Sequence, residues 1–398
     1  MNPNLQVLYP YPFQRLSQLK ANVEAPSHLD PISLSIGEPK HPAPDFVKQA
    51  LKHSLDDLAR YPTTRGTQEL RGAIADWLVE RFSLHAIDKE TQVLPVAGTR
   101  EALFAFTQAV IDKSGTEKPL VVCPNPFYQI YEGAALLAGA DMHYLNCEAQ
   151  TGFIPDLNAV PAEIWKKCQL LQLCSPGNPS GATLSLNDYK LALELADKYN
   201  FVVSNDECYS EIYSDEDNPP LGLLAACKQL GRDDYKHCVV FHSLSKRSNL
   251  PGLRSGFVAG DQALIADFFN YRTYHGCALS LPVQQASIAA WQDESHVIEN
   301  RQLYREKFSA VTAILKPVLP VTIPEGSFYL WPETPIDDIQ FSQDLFASEN
   351  LTVLPGQFLS RTTESGNPGS RRIRMALVAP IAECIEAAER LVRFVKSL

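Results

Sequence analysis

The chain has 398 residues, enough for two or three structural units with a core of good size. A hydrophobic share of 45% and a charged share of 20% are ordinary for a globular protein in water. The net charge of −11 excludes general binding to nucleic acid or to an anionic membrane, so an anionic substrate has to be held by local arginines.

The nine cysteines are scattered, and no two form a Cys-x-x-Cys pair. Most sit in apolar context, as in Val121-Val122-Cys123, which suits reduced core residues and neither a metal site nor a disulfide framework. Met1-Asn2-Pro3-Asn4 is not a basic start followed by an apolar core, and no apolar run approaches the ~20 residues of a membrane span. The expectation is a cytoplasmic protein.

Residues 1–44 are rich in proline and are expected to be extended and irregular, anchored by Leu5, Leu8, Phe13, Leu16 and Leu19. Ile32-Ser33-Leu34-Ser35-Ile36-Gly37 alternates like a short strand. Leu70, Ile74, Leu78 and Phe82 recur at helical spacing and predict a helix over 67–83. From residue 92, apolar runs at 92–97, 120–123, 170–174, 201–204 and 238–241 alternate with helical stretches at about 100–112, 128–139, 185–199 and 217–231. This order predicts a mostly parallel central sheet flanked by helices, with ligands at the carboxyl ends of its strands. Beyond about residue 283 the alternation stops. A long helix (283–315), a strand-like run (321–331), a short helix (340–349), a strand (372–377) and a closing helix from Pro380 read as a smaller α+β domain. The division expected is a large domain over 45–285 and a small one from 1–44 with 286–398.

Chemistry-bearing residues fall at those strand ends. Cys238-Val239-Val240-Phe241 runs into Ser243-Leu244-Ser245-Lys246, and Arg254 follows eight residues after the lysine. An amine beside hydroxyls and an arginine suits a Schiff-base enzyme with a phosphorylated aldehyde cofactor; alone, the stretch reads equally as a strand and a solvated basic turn. Gly98-Thr99-Arg100 offers backbone N–H groups at a helix start. Tyr128 is an aromatic after the second strand, either stacking on a flat ring or filling a core. Asn178 lies in the turn Ser175-Pro176-Gly177-Asn178-Pro179, and Asp206 ends its strand either as a turn cap or as a functional carboxylate.

Ser243-Leu244-Ser245-Lys246 with Leu253-Arg254 resembles the attachment signature of class I/II aminotransferases, pyridoxal 5'-phosphate enzymes of fold type I. The resemblance runs from about residue 32 to 395. It implies that Lys246 binds the cofactor and moves the substrate's α-proton. It implies that Ser243, Ser245, Arg254, Gly98, Thr99 and Arg100 surround the phosphate and that Tyr128 stacks on the ring. Asp206 would keep the pyridine nitrogen protonated, while Asn178 and Tyr209 would contact the phenolic oxygen. Arg374 would clamp the substrate α-carboxylate, with Gly37 letting backbone approach it, although a strand arginine by itself more often makes a surface ion pair. Tyr61, otherwise a core or loop aromatic, would reach a partner's cofactor phosphate in a homodimer with shared active sites.

The N-terminal run, with Ser35-Ile36-Gly37-Glu38-Pro39-Lys40-His41-Pro42, resembles the N-succinyl-LL-diaminopimelate aminotransferases of lysine biosynthesis. That implies small amino-acid and keto-acid substrates and a second group for a distal carboxylate, with Arg65, Arg272 and His275 as candidates. A C–S β-lyase on the same scaffold and a non-catalytic binding module are the rivals. A dinucleotide oxidoreductase is disfavoured because no Gly-x-Gly-x-x-Gly fingerprint is present.

Overall fold

The computed structural model describes residues 1–398. Its twelve strands, in chain order, are β1 (Ile32–Ser33), β2 (Val93–Val96), β3 (Leu120–Asn125), β4 (Asp141–Asn146), β5 (Cys168–Cys174), β6 (Val202–Asp206), β7 (Cys238–Ser243), β8 (Gly256–Gly260), β9 (Tyr329–Leu330), β10 (Leu351–Thr352), β11 (Leu354–Pro355) and β12 (Ile373–Ala376). Seven form one sheet in the order β2-β8-β7-β6-β5-β3-β4. Neighbouring strands are parallel except at β8, which runs antiparallel to both β2 and β7.

Strand periodicity assigns the two faces. Cys238 and Val240 of β7, Leu171 and Leu173 of β5 and Val122 of β3 point into one core. Val239, Phe241, Leu170, Val121 and Cys123, one residue out of phase, point into another. The first core is closed by helices Gln68–Phe82, Leu186–Tyr199 and Leu281–Trp291, through Ile74, Trp77, Leu193 and Trp291. The second is closed by Thr99–Val110, Ile130–Ala138 and Gln262–His275, through Phe106, Ala135 and Phe268. Phe241 and Leu171 are fully buried, and each such side chain contributes about 1.5–3 kcal/mol of hydrophobic stabilisation.

A separate core gathers Ile32, Leu34, Phe308, Val311, Phe341, Met375, Leu391 and Phe394. In it the N-terminal β1 pairs in parallel with β10, Ile32 opposite Leu351. β11, β12 and β9 form an antiparallel sheet of three strands. No helix is long and apolar enough to cross a membrane.

Four expectations about elements change. The proline-rich N-terminus, residues 1–44, holds helix Pro12–Lys20, because Pro12 starts a helix at its first position instead of breaking one. The helix expected at 283–315 is two, Leu281–Trp291 and Ser295–Leu315. The break is held by Arg247, whose guanidinium donates to the carbonyls of Ala290 (2.7 Å) and Asp293 (3.2 Å). The helix expected at 217–231 shrinks to Leu223–Gln229, after Pro219, Pro220 and an extended Gly222. The strand-like run 321–331 pairs only at Tyr329–Leu330, since Ser327 turns the chain with φ of 69°.

Candidate active site

A cavity of about 530 Å³ opens at the carboxyl ends of β2, β3, β5, β6 and β7. Its lining includes Thr99, Arg100, Tyr128, Asn178, Asp206, Tyr209, Ser243, Ser245, Lys246, Arg254, Gly37 and Arg374. The reversed direction of β8 explains Arg254, which precedes that strand and therefore lies at the edge where β2 and β7 end.

Lys246 sits on a single helical turn, Leu244–Arg247, directly after β7. Its ammonium donates to the Gly37 carbonyl and lies 5.2 Å from the Phe328 ring centroid. Burial pulls this amine down to about 8, opposed by Cys208 and helped by the positive charge of Arg374. Such an amine is partly free base at neutral pH, as a proton carrier has to be.

Asp206, at the end of β6, is buried. Its Oδ2 accepts from the Tyr131 hydroxyl (2.8 Å) and its Oδ1 from the Cys208 backbone N–H (3.2 Å). Burial raises its pKa, while the bonds from Cys208 and Tyr131 pull the other way. The carboxylate forms no ion pair within the chain, so a cationic ring nitrogen fits it.

The anion-binding corner is equally under-used. Arg254, itself left-handed at φ 55°, donates to the Pro251 carbonyl (3.0 Å) and pairs with no carboxylate. Gly98 (φ 87°) faces it, and a Cβ there would strike the Arg254 guanidinium. Thr99, at the start of helix Thr99–Val110, and the hydroxyls of Ser243 and Ser245 complete a donor set suited to a phosphate dianion.

The opposite wall comes from remote segments. Arg374 on β12 donates to Asn178 Oδ1 (3.0 Å) and to the Ser35 carbonyl (2.7 Å), and its guanidinium lies 4.5 Å from the Tyr329 ring centroid. Its buried Nε has no partner. Tyr209 and Tyr329 share a hydroxyl–hydroxyl bond of 2.9 Å. Gly37 approaches this wall so closely that a Cβ would run into the Tyr329 hydroxyl. Arg100 donates to the hydroxyls of Tyr128 (2.6 Å) and Tyr11 (3.4 Å) and has no carboxylate partner.

Tyr61 is fully exposed and does not line the cavity of its own chain. Nor do the three distal candidates. Arg65 stacks on Phe269 and bonds the Glu90 carbonyl. Arg272 is buried against Glu101 Oε1 (2.6 Å), which His275 also approaches (3.5 Å). The cavity instead contains Arg100, Tyr11, Glu38, Tyr131, Cys208 and Tyr329, none of which the motif reading selected for the distal end. Tyr131 had a visible signal, an aromatic three residues beyond Tyr128 at helical spacing. Tyr11 had none, because it reaches Arg100 across 89 residues of sequence.

The sequence matches the family model "Aminotransferase class I and II" over residues 30–391. The chain is similar to an aminotransferase of Neisseria meningitidis Z2491, at 52% identity with a TM-score of 0.96, covering 99% of each chain. It is 30% identical over 393 residues to the LL-diaminopimelate aminotransferase of Aquifex aeolicus (strain VF5), covering 97% of each. A structure from Thermus thermophilus, described as a probable N-succinyldiaminopimelate aminotransferase, shares 26% identity with a TM-score of 0.85, covering 96% of this chain and 99% of that one.

Proposed function

The chain belongs to the class I and II aminotransferases, which depend on pyridoxal 5'-phosphate, and from that premise we propose that it moves an amino group from N-succinyl-LL-2,6-diaminopimelate to 2-oxoglutarate. The observation that carries this reading is one cavity holding a lowered amine (Lys246), a buried unpaired carboxylate (Asp206) and two arginines free of carboxylate partners besides the phosphate corner (Arg374 and Arg100).

Arg254, Thr99, Ser243 and Ser245 would hold the cofactor phosphate, with Gly98 leaving room for Arg254. Asp206, held still by Tyr131, would meet the ring nitrogen, while Asn178 and Tyr209 would serve the phenolic oxygen and Tyr128 the ring face. When bound, the cofactor supplies an aldehyde for amine exchange and an electron-accepting ring. Arg374 grips the α-carboxylate shared by donor and acceptor, with its partnerless Nε available for a further bond. Lys246 Nζ would take the proton from the substrate α-carbon and hold it for return, which its lowered pKa permits. Arg100, steadied by Tyr11 and Tyr128, receives the distal carboxylate.

We assign the exposed Tyr61 to the active site of a second copy in a cytoplasmic homodimer with shared active sites. Residues 45–285 form the cofactor-binding domain, and 1–44 with 286–398 the smaller one; the β1–β10 pairing supports that grouping.

A second reading has a specific observation in its favour. Glu38 lines the same cavity, and a carboxylate there suits the free distal ammonium of unsuccinylated LL-diaminopimelate. Glutamate formation from 2-oxoglutarate, measured with each donor, decides between them. A higher kcat/KM for the succinylated donor supports the proposal. A preference for the free diamine assigns the enzyme to the second reading, and turnover with neither removes both.

A further inference from the structure

The turn that carries Lys246 is too short to hold itself. A helix of one turn leaves its last carbonyls without intrahelical partners, and Leu244–Arg247 is four residues long. The carbonyls of Lys246 and Arg247 both accept from Asn300 Nδ2, at 3.4 and 3.5 Å. Asn300 belongs to a different element, helix Ser295–Leu315, and is buried.

The orientation of that amide is fixed from behind. Asn300 Oδ1 accepts from Asn249 Nδ2 (3.0 Å) and bonds His41 Nδ1 (2.6 Å). His41 Nε2 lies 2.6 Å from Lys307 Nζ, which also donates to the Val378 carbonyl (3.3 Å). An ammonium can only donate, so Nε2 is the acceptor and Nδ1 carries the proton. Each link therefore sets the direction of the next: Lys307 to His41, His41 to Asn300, Asn300 to the carbonyls of Lys246 and Arg247. Were the amide reversed, its oxygen would face those carbonyls and its NH₂ would face the His41 and Asn249 donors. Burial lowers the His41 pKa against the opposing bond to Asn300, a direction that agrees with the neutral ring the chain of donors requires.

The same short segment touches Lys246 at its other end. The Gly37 carbonyl accepts from Lys246 Nζ, and His41 follows four residues later. The stretch 37–41 thus holds both the amine and, through Asn300, the backbone of one lysine. His41 is seated by its ring against Tyr304, with centroids 4.7 Å apart.

We propose that Asn300 and His41 are positioning residues for Lys246, fixing the turn from which its amine works, with Lys307 setting the direction of the relay. This rests on the role given to Lys246 above. Neither residue touches substrate or cofactor in this account; they act through the lysine backbone.

The test uses the cofactor-loaded enzyme carrying Asn300→Ala, and His41→Phe as a second break that keeps an aromatic ring on Tyr304. Misplacing a reacting amine lowers kcat by about 10- to 100-fold. The KM for the amino donor stays within about twofold, because binding groups are untouched. The pH midpoint of the bound cofactor's visible absorbance moves by about half a unit or more, since the amine's surroundings change. His41→Gln, which can donate to Asn300 and accept from Lys307, recovers most of the loss. Wild-type kcat and an unmoved midpoint in both breaking variants would overturn the proposal, as would a loss that His41→Gln shares in full. Lys246→Ala, run alongside, separates the two levels. If its visible band disappears, the role of Lys246 stands whatever the relay variants do. If the band persists unchanged, that role falls and the proposal with it.

Discussion

Lys246 and Arg374 face one cavity but arrive there by different routes. Lys246, Asp206, Asn178 and Thr99 each follow the end of a strand in one continuous sheet, so the pairing that builds the sheet also aligns them. Arg374, Gly37, Tyr329 and Tyr11 come from four segments spread over most of the chain; β1, β9 and β12, which share the core around Ile32 and Met375, bring in the first three, and Tyr11 joins through its bond from Arg100. The rim is thereby rigid and suited to chemistry that tolerates little displacement. The facing wall is assembled from short pieces, and it is to this wall that the proposal gives the grip on the substrate α-carboxylate.

On that contrast, changes to the rim groups that do chemistry abolish turnover, while changes to the groups that grip carboxylates weaken the use of the substrates that carry them. Lys246→Ala gives the largest effect, a loss in kcat of about 10³- to 10⁴-fold, read as glutamate formation. Asp206→Ala retains cofactor by absorbance but loses about 10³-fold, equivalent to ~4 kcal/mol of barrier. On the wall, Arg374→Leu lowers kcat/KM by about 100-fold for every substrate, since all share the α-carboxylate. Arg100 follows Thr99 on the rim but bonds Tyr11 of the wall, and Arg100→Met is narrower still. It raises KM for the succinylated donor by about tenfold and leaves that for alanine, which has no distal carboxylate, nearly unchanged. Equal effects of Arg100→Met on both donors would remove the assignment of Arg100 to the distal carboxylate.

The smallest effect concerns stability. The Lys246 amine falls from its ordinary value to about 8 in the folded, cofactor-free chain. Between pH 8 and the unfolded value the unfolded state binds more protons, so stability rises with pH across that window, and below it the penalty is present in full. Lys246→Met removes the penalty and should stabilise the cofactor-free protein at pH 7 by up to about 3 kcal/mol. Urea unfolding at pH 7 and pH 10 checks this; the advantage of the variant should shrink at the higher pH.

How much was readable beforehand follows the same division. Strand ends and their polar residues are local features, so Lys246, Asp206, Asn178 and Arg254 could be placed from runs such as Cys238–Phe241 and the residues after them. Strands β4 and β8 were not anticipated, and nothing local marks the reversal of β8, because an apolar run does not encode its direction. Helix Pro12–Lys20 was hidden by its prolines, which open a helix as readily as they end one. Arg100 was noticed only as part of a phosphate turn, since its bonds to Tyr11 and Tyr128 depend on tertiary packing. Arg272 and His275 were plausible distal ligands by their nearness to the pocket segments that the resemblance implies, yet Glu101 lies against them outside the cavity. Asn300 and His41 were invisible for the same reason: 259 residues separate the two ends of their bond.

The central claim is that Lys246 moves the α-proton of an amino acid held by Arg374. The most direct measurement is exchange of the α-proton of glutamate in D₂O, followed by NMR with the cofactor-loaded enzyme. Wild type should wash deuterium into the α-position, Arg374→Leu should do so only at raised glutamate, and Lys246→Ala should not do so at a measurable rate. Exchange by Lys246→Ala at the wild-type rate would contradict the account, because another group would then be carrying the proton.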